Sequence, residues 1–319
     1  ALASSQAAVS GIMRQMVSLP VTQYSHQSVR DLFSVFLLKK KYLFADYYML
    51  TIYAPWVVKK FSPGHLIKLQ AYTFGEKGMT DAIGHEPVAC QPYDYDRQAK
   101  TLSFVLKDDS LAKKILLRVP EGGALMAMGP TGVRLSRTQL AKRVLLLADH
   151  ERLSSACLYA KHHELYSKGV DFFVLRSEIA LRLVSSLSIS SQVKWCDIEE
   201  LPLLCSATID IYSKIVLQGS FSLIRTFYGA YNQHFKNTNN SQYPELIGYV
   251  GGPMQCMLKG ICAQCLQWQI DPQTGIRTKA VFSCSWQDQP LHMVDMDHYE
   301  QRQDRCQAFA QLNEQWALC

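Results

Sequence analysis

The chain has 319 residues, of which 48% are hydrophobic and 19% are charged, and its formal net charge is +6. This length allows two or three domains that each bury a core. The basic residues are spread along the chain instead of clustering with aromatic residues, which argues against a nucleic-acid-binding surface. No stretch has the roughly 20 apolar residues of a membrane-spanning helix. We therefore expect no nucleic-acid partner and no membrane span.

Residues 1–38 are predicted to form a helical lead-in or linker, because their apolar positions follow helical spacing. The segment has no charged start followed by an apolar core, so it is not typical of a secretion signal. It also starts without an initiator Met, and we expect either a processed product or one segment of a longer polypeptide. Ten cysteines in a chain of this size, without a secretion signal, favour reduced thiols and a cytoplasmic location.

Residues 39–138 are predicted to form an antiparallel β-barrel. Short apolar runs rich in β-branched and aromatic residues alternate with turns that contain Gly, Pro and Asp. The runs are YYMLTIYAP, HLIKLQAY, TLSFVLK and ALMAMGPTG. Regular short strands with turns between them are typical of a small barrel.

Residues 139–248 are predicted to form an α/β domain with a parallel sheet. The apolar runs RVLLLA, VDFFVLR, VKW, KIVLQG and ELIGYV alternate with helical stretches, including residues 153–166 and 221–235. Such alternation indicates parallel strands joined by crossover helices. A turn-rich segment with cysteines follows over residues 249–298, and residues 299–319 are predicted to form a C-terminal helix.

Four cysteines in the turn-rich segment have the spacing of a metal site. Cys256, Cys262 and Cys265 form a C-x5-C-x2-C pattern, and Cys284 follows after a longer interval. Thiolates are preferred ligands of both zinc and iron–sulfur clusters. Structural zinc usually takes two short cysteine pairs, and this segment has one. A plant-type [2Fe–2S] cluster takes three ligands from one loop and a distant fourth, with a spacing that differs here by one residue. The pattern favours a [2Fe–2S] cluster, with zinc or four unrelated buried thiols as the alternatives.

The order of barrel, α/β unit and cysteine segment resembles the ferredoxin–NADP reductase superfamily. Within it, the chain is similar to the iron–sulfur electron-transfer subunit of dihydroorotate dehydrogenase. It is also similar to the small subunits of NADH-dependent ferredoxin:NADP oxidoreductase and of sulfide dehydrogenase. The stretches that carry the resemblance are YMLTIYAPWVVKKFSPGHLIKL, GPTG at residues 129–132, the cysteine loop and VFSCSW. The resemblance implies FAD on the barrel, NAD(P)H on the α/β domain and a C-terminal [2Fe–2S] cluster, with the flavin converting hydride into single electrons.

Two flavin-binding stretches of the superfamily have altered counterparts here. The superfamily has an Arg followed by Pro and by Ser or Thr; this chain has His85, Pro87 and Ala89 at those positions. A neutral His is a poor substitute for a permanent bidentate cation. After the strand TLSFVLK, Ser110 matches the phosphate-binding hydroxyl, but Asp108 and Asp109 precede it. These four positions, His85, Pro87, Ala89 and Ser110, are the FAD contacts that the resemblance implies.

The nucleotide turn of the α/β domain departs further from the superfamily. RVLLLA runs directly into Asp149-His150-Glu151-Arg152, with two acids and no glycine. A pyrophosphate would meet side chains and negative charge there, so we predict a degenerate domain in which NAD(P)H binding is doubtful. In the following helix, His162 and His163 are adjacent and would point about 100° apart. We expect them on a solvated helix face, not as a pair of metal ligands.

These observations predict a fold that combines a flavin-type antiparallel barrel, a parallel-sheet nucleotide-type domain and a C-terminal [2Fe–2S] segment. The predicted function is an iron–sulfur electron-transfer subunit or domain of a larger flavin-dependent oxidoreductase. FAD would bind this barrel, a partner subunit or an upstream fused domain. One alternative is a self-contained NAD(P)H-dependent reductase with an unusual nucleotide pocket. Another is a zinc-bound structural module of a complex. No catalytic residue is assigned.

Overall fold

A computed structural model of the chain describes residues 32–75, 78–208, 211–236, 244–252 and 263–305, and the structural statements below refer to these residues. The first half is built on antiparallel strands with two short helices. The strands are β1 (Leu32–Phe44), β2 (Tyr47–Tyr53), β3 (Leu66–Gln70), β4 (Tyr72–Gly75), β5 (Gly78–Gly84), β6 (Val88–Cys90), β7 (Asp94–Asp96), β8 (Thr101–Lys107) and β9 (Ala124–Thr131). The helices are α1 (Pro55–Lys60) and α2 (Leu111–Arg118).

Seven of these strands form one antiparallel sheet in the order β6-β3-β9-β1-β2-β8-β7, and β4 pairs with β5. The strands form because apolar residues alternate along them. In β8, Leu102, Phe104 and Leu106 are buried, while the residues between them are half-buried. A period of two sends one set of side chains to a single face of the sheet. These side chains pack with Val57 and Val58 of α1 into one core.

The second half contains an α/β unit and a cysteine-bearing extension. Its strands are β10 (Arg143–Ala148), β11 (Val170–Leu175), β12 (Lys194–Cys196), β13 (Tyr212–Gln218), β14 (Glu245–Tyr249), β15 (Leu266–Ile270), β16 (Arg277–Phe282) and β17 (Asp288–Pro290). Its α-helices are α3 (Leu153–Tyr166), α4 (Glu178–Ser186), α5 (Leu201–Thr208) and α6 (Phe221–Lys236). Short 3₁₀ turns cover Ile198–Glu200 and Leu291–Met293, and residues 296–305 are helical.

The α/β sheet has six strands in the order β12-β11-β10-β13-β14-β17, and the first five run parallel. The central strand β10 shows why the sheet is covered on both faces. Val144 and Leu146 contribute to one apolar core, whereas Leu145 and Leu147 contribute to a second core across the sheet. An uninterrupted apolar run is the expected signature of a strand buried on both sides.

The extension does not form a separate layer. Strands β15 and β16 pair as a hairpin, and the chain then returns to the α/β sheet, where β17 pairs antiparallel with β14. Residues 249–298 were predicted as one cysteine segment, and their last strand completes the neighbouring sheet instead. Within the described part of the chain, no helix is long and apolar enough to cross a membrane.

The structure confirms an antiparallel sheet in the first half and a parallel sheet in the second; the seven antiparallel strands pair in a linear order, and closure into the predicted barrel stays a prediction. The first boundary lies elsewhere, because β1 begins at Leu32, within the predicted lead-in of residues 1–38. Its alternation was obscured because Phe36 and Leu38 are apolar but exposed, and Lys39 starts a basic run. Residues 1–31 and 306–319 lie outside the described residues, so the remaining lead-in and most of the C-terminal helix stay predictions.

Candidate functional site

Two of the four predicted metal ligands lie together in the structure. Cys265 and Cys284 are fully buried and share a small cluster with Leu66. The hairpin explains the encounter, because Cys265 immediately precedes β15 and Cys284 follows the end of β16. The backbone N–H of Ser283 donates to the carbonyl of Cys265 at 2.9 Å, which fixes the two chain segments side by side.

Cys256 and Cys262 lie outside the described residues, so the structure tests half of the predicted ligand set. Among the residues that are described, no group of three or more potential metal ligands occurs. The observed half does fit a thiolate site, because both sulfur-bearing residues are buried among apolar side chains that would keep water away. The [2Fe–2S] site stays a prediction.

The antiparallel sheet forms the opposite wall of the cysteine pair. Leu66 starts β3 and Ala89 is the middle residue of β6, and both pack against the two cysteines together with Phe282. The hydroxyl of Thr131, at the end of β9, donates to the carbonyl of Cys284 at 3.3 Å. Thus Ala89, one of the FAD positions that the resemblance implied, lies directly at the cysteine pair.

The other implied FAD positions are engaged in local structure. The carbonyl of His85 accepts from the side-chain amide of Gln70 at 2.6 Å, and its N–H donates to the carbonyl of Ala71 at 3.0 Å. His85 and Pro87 are both half-buried just before β6. The sequence at this point builds a short connection into β6 and supplies no permanent cation for a diphosphate.

The phosphate position at the start of α2 does not fit a diphosphate. Ser110 is the N-cap of α2, and its hydroxyl accepts from the backbone N–H of Lys113 at 3.4 Å. Asp109 forms an ion pair with the ammonium of Lys113 at 2.5 Å. Asp108 has a buried carboxylate oxygen without a hydrogen-bond partner among the described residues. The hydroxyl is used as a cap, and the two carboxylates that precede it would repel an anion.

The α/β sheet has a crevice where its strand order reverses, between β10 and β13. Ligands of open α/β sheets bind at this point, outside the carboxyl ends of the strands. Here Asp149 follows β10 directly and is buried. Its carboxylate accepts from the backbone N–H of Ser220 at 2.7 Å and from that of Glu151 at 3.0 Å. Burial and the nearby Asp149 charge raise the pKa of Glu151.

A buried polar network joins the antiparallel sheet, the α/β unit and the extension. We call it the junction network; its members are Gln91, Arg152, Tyr159, Gln218, Gln287 and Asp288. The side chain of Gln287 donates to the carbonyl of Gly64 at 2.6 Å and to that of Val133 at 3.0 Å, and it accepts from the N–H of Val133 at 3.0 Å. Gly132 has φ +88°, and a Cβ at this residue would lie 2.5 Å from the Gln287 side-chain oxygen. Glycine at this position therefore permits the close approach.

Asp288 is the charged centre of the junction network. One carboxylate oxygen accepts from the hydroxyl of Tyr159 at 2.5 Å, and the other accepts from the amide of Gln218 at 3.0 Å. Burial raises the pKa of Asp288, although these hydrogen bonds oppose the shift. The amide of Gln91 donates to the Tyr159 hydroxyl at 3.2 Å, and Gln91 in turn accepts from Arg152. The network therefore places a buried carboxyl group in the middle of a three-part junction.

The prediction of a solvated helix face for the two adjacent histidines is wrong. His162 and His163 are both buried, with ring centroids 5.5 Å apart and an edge-on arrangement. A ring nitrogen of His162 lies 2.7 Å from the carbonyl oxygen of Ser136. Burial, with help from Lys214, lowers the pKa of His163 to about 3. Adjacent residues on α3 can both be buried because the helix is covered from more than one side.

The junction network was not predicted from the sequence. Its members come from four separate stretches of the chain, around residues 91, 152–159, 218 and 287–288, and lack a common motif; the one local signal was Gln218 at the end of the apolar run KIVLQG. A polar side chain that ends a buried strand needs a hydrogen-bond partner, but the sequence does not identify which one.

Comparisons with known proteins establish the fold more firmly than the family. No family model matches the chain. Uncharacterized protein RP006 of Rickettsia prowazekii (strain Madrid E) is 24% identical over 253 residues, which is 79% of this chain and 29% of that protein. The chain therefore spans less than a third of the length of this relative.

Two solved structures share the architecture. The structure of an NADH-dependent reduced ferredoxin–NADP oxidoreductase, studied for flavin-based electron bifurcation, has a TM-score of 0.67 and 15% identity, and the match covers 92% of this chain and 100% of that chain. A ferredoxin–NADP⁺ reductase from Neisseria gonorrhoeae with bound FAD and NADP has a TM-score of 0.51 and 13% identity, covering 68% of this chain and 97% of that one. At such identities the likeness shows a ferredoxin–NADP reductase-like fold, and function has to be argued from the site.

Proposed function

We propose that the chain is the electron-transfer part of a larger flavin-dependent oxidoreductase, in which Cys256, Cys262, Cys265 and Cys284 hold a [2Fe–2S] cluster. The observation that supports it is the burial of Cys265 and Cys284 in one cluster against the antiparallel sheet. Such a cluster, when bound, carries one electron at a time. On this proposal the four thiols serve electron transfer and not a structural zinc site.

The surroundings of the cysteine pair suit this role. Leu66 and Phe282 limit access of water to the two cysteines, and exposure to water is one of the factors that set the reduction potential of a cluster. The hydrogen bond from Thr131 to the Cys284 carbonyl holds the distant ligand in register with the sheet. These residues orient the thiols and shield them from water, and the proposal assigns them no catalytic role.

The flavin is proposed to lie on another part of the enzyme. In this chain Ser110 caps α2 and follows two acids, Asp108 and Asp109. Ala89 packs on the cysteines and has no hydroxyl to offer. The curated relative is more than three times as long as the matched region, so a larger protein offers room for a flavin domain. A partner subunit would serve the same purpose.

Metal and sulfide analysis of the full chain purified without oxygen tests the proposal. We expect about two irons and two sulfides per chain and a [2Fe–2S] signal in the electron paramagnetic resonance spectrum of the reduced protein. Cys265→Ser and Cys284→Ser should each lower the iron content. Cys157→Ser is the matched control, because Cys157 is a buried thiol that donates to Leu153 within α3. Stoichiometric zinc without iron would replace this proposal with the zinc-bound structural module.

A self-contained NAD(P)H-dependent flavin reductase is the second candidate. The fold favours it, because the Neisseria reductase of the same architecture contains FAD and NADP. Bound flavin in the purified chain, bleached rapidly by NADH or NADPH, would select this candidate. Iron without flavin would select the first.

A further inference from the structure

We propose that Asp149 closes the crevice of the α/β sheet from within and thereby excludes nicotinamide nucleotides. Its carboxylate occupies the backbone N–H groups that a pyrophosphate would need. Reducing equivalents would then reach the cysteine site from a flavin outside this α/β unit. The inference deepens the proposed function and rests on it for this route, whereas the exclusion itself can be tested separately.

The position of Asp149 is the first argument. It lies between β10 and α3, while Ser220 lies between β13 and α6, so the two residues meet where the strand order of the sheet reverses. This point is where open α/β sheets take their ligands, and helix N-termini there offer N–H groups to phosphates. A buried carboxylate at the same point competes for the same donors.

The contacts of the carboxylate show that it uses these donors. One oxygen accepts from the Ser220 N–H at 2.7 Å at the start of α6, and the other accepts from the Glu151 N–H at 3.0 Å just before α3. Both hydrogen bonds are charge-assisted, and the partial positive end of the 16-residue helix α6 favours the negative charge. Ordinary capping does not account for this, because the Ser220 hydroxyl already accepts from the N–H of Leu223 at 3.4 Å.

The packing leaves little space beside the carboxylate. A Cβ on Gly219 would lie 2.8 Å from a carboxylate oxygen of Asp149 and would also collide with the side chain of Leu223. Asp149 therefore lies against the backbone of the loop after β13, which is the surface that a pyrophosphate would have to approach.

The two charged residues after His150 do not offer a free cation to an anion either. Arg152 is the cation closest in sequence, and its guanidinium stacks 3.6 Å above the ring of Tyr249 while it donates to Gln91. Its charge is thus directed into the junction network. Glu151 adds a second acid beside Asp149, and burial together with Asp149 raises its pKa.

Nucleotide titration of the wild-type chain is the decisive experiment. Calorimetric titration with NADH and with NADPH should give dissociation constants weaker than about 1 mM, outside the usual range for enzymes that use such substrates. A constant tighter than about 1 mM for either nucleotide overturns the inference. This measurement needs no variant, so it decides the matter even if substitutions at Asp149 prevent folding.

Variants test the role of the carboxylate itself. Asp149→Ser removes the carboxylate and should lower the Tm, and inorganic pyrophosphate should then raise the Tm of the variant by about 2–4 °C. The wild type and the control Glu151→Gln, which keeps both hydrogen bonds to Asp149, should not respond. A pyrophosphate response in the serine variant no larger than in Glu151→Gln contradicts the inference. Iron content is measured in parallel: its absence from the wild type would refute the proposed function and leave the nucleotide result standing.

Discussion

Tyr159→Phe tests whether the junction network holds the three parts of the chain together. Tyr159 is fully buried on α3, and its hydroxyl donates to Asp288 at 2.5 Å and accepts from Gln91 at 3.2 Å. A hydrogen bond to a charged group contributes about 1.5–3 kcal/mol and a neutral one about 0.5–1.5 kcal/mol. Phenylalanine preserves the ring, so little cavity term is added. We expect the free energy of unfolding to fall by about 2–4 kcal/mol.

Equilibrium urea unfolding of the full chain measures this change. The slope of the free energy of unfolding against urea concentration should stay the same, because the variant exposes the same surface on unfolding. Tyr48→Phe is the control, because Tyr48 is half-buried on β2 and its ring packs edge-on against Tyr42, away from the network contacts. A loss below about 0.5 kcal/mol, within the range of a neutral surface change, would refute the reasoning. It would mean that Asp288 finds equivalent partners without the hydroxyl.

Three further changes probe other parts of the molecule. Gly219→Ala should destabilise the chain by about 1–3 kcal/mol in urea, because the new Cβ meets Leu223 and lies 2.8 Å from Asp149. Burial raises the pKa of Asp288, so the folded state keeps this proton to a higher pH than the unfolded state does. The free energy of unfolding should therefore fall as the pH rises above about 4, the pKa of an Asp in the unfolded chain. Asp288→Asn should remove this contribution to the pH dependence of the urea midpoint. Burial opposes ionisation of Asp171, but hydrogen bonds from two cations and a tyrosine outweigh it and lower its pKa to about 2. Its contribution should be lost as the pH falls from about 4 through about 2, so the difference in urea midpoint between wild type and Asp171→Asn should shrink over that interval.

The α/β unit was predictable because its signals are local. The run RVLLLA is buried on both faces as β10, and α3 covers the predicted residues 153–166. The cysteine pair was also predictable in part, because Cys265 and Cys284 carry a spacing that is meaningful only if the chain folds back. Local periodicity and motif spacing are properties that the chain displays before any tertiary contact forms.

The parts that escaped prediction depend on long-range pairing. Gln287 finds its partners at Gly64 and Val133, more than 150 positions away, and nothing in the surrounding sequence names them. His162 and His163 are buried although polar residues on a helix usually face solvent, because the elements that cover α3 come from distant parts of the chain. Polar residues in a core are satisfied by specific geometry, and a single sequence shows only the need for a partner.

The last sheet strand has a consequence for dissecting the protein. β17 pairs with β14 although it lies downstream of the cysteine hairpin, so the hairpin is an insertion in sequence between two neighbouring strands of one sheet. A chain cut before the hairpin would lack β17, so the outer edge of β14 would be unpaired. An unpaired strand edge promotes aggregation. A fragment that keeps the α/β sheet intact therefore has to include the cysteine hairpin, and we expect the hairpin to be exchanged only together with that sheet.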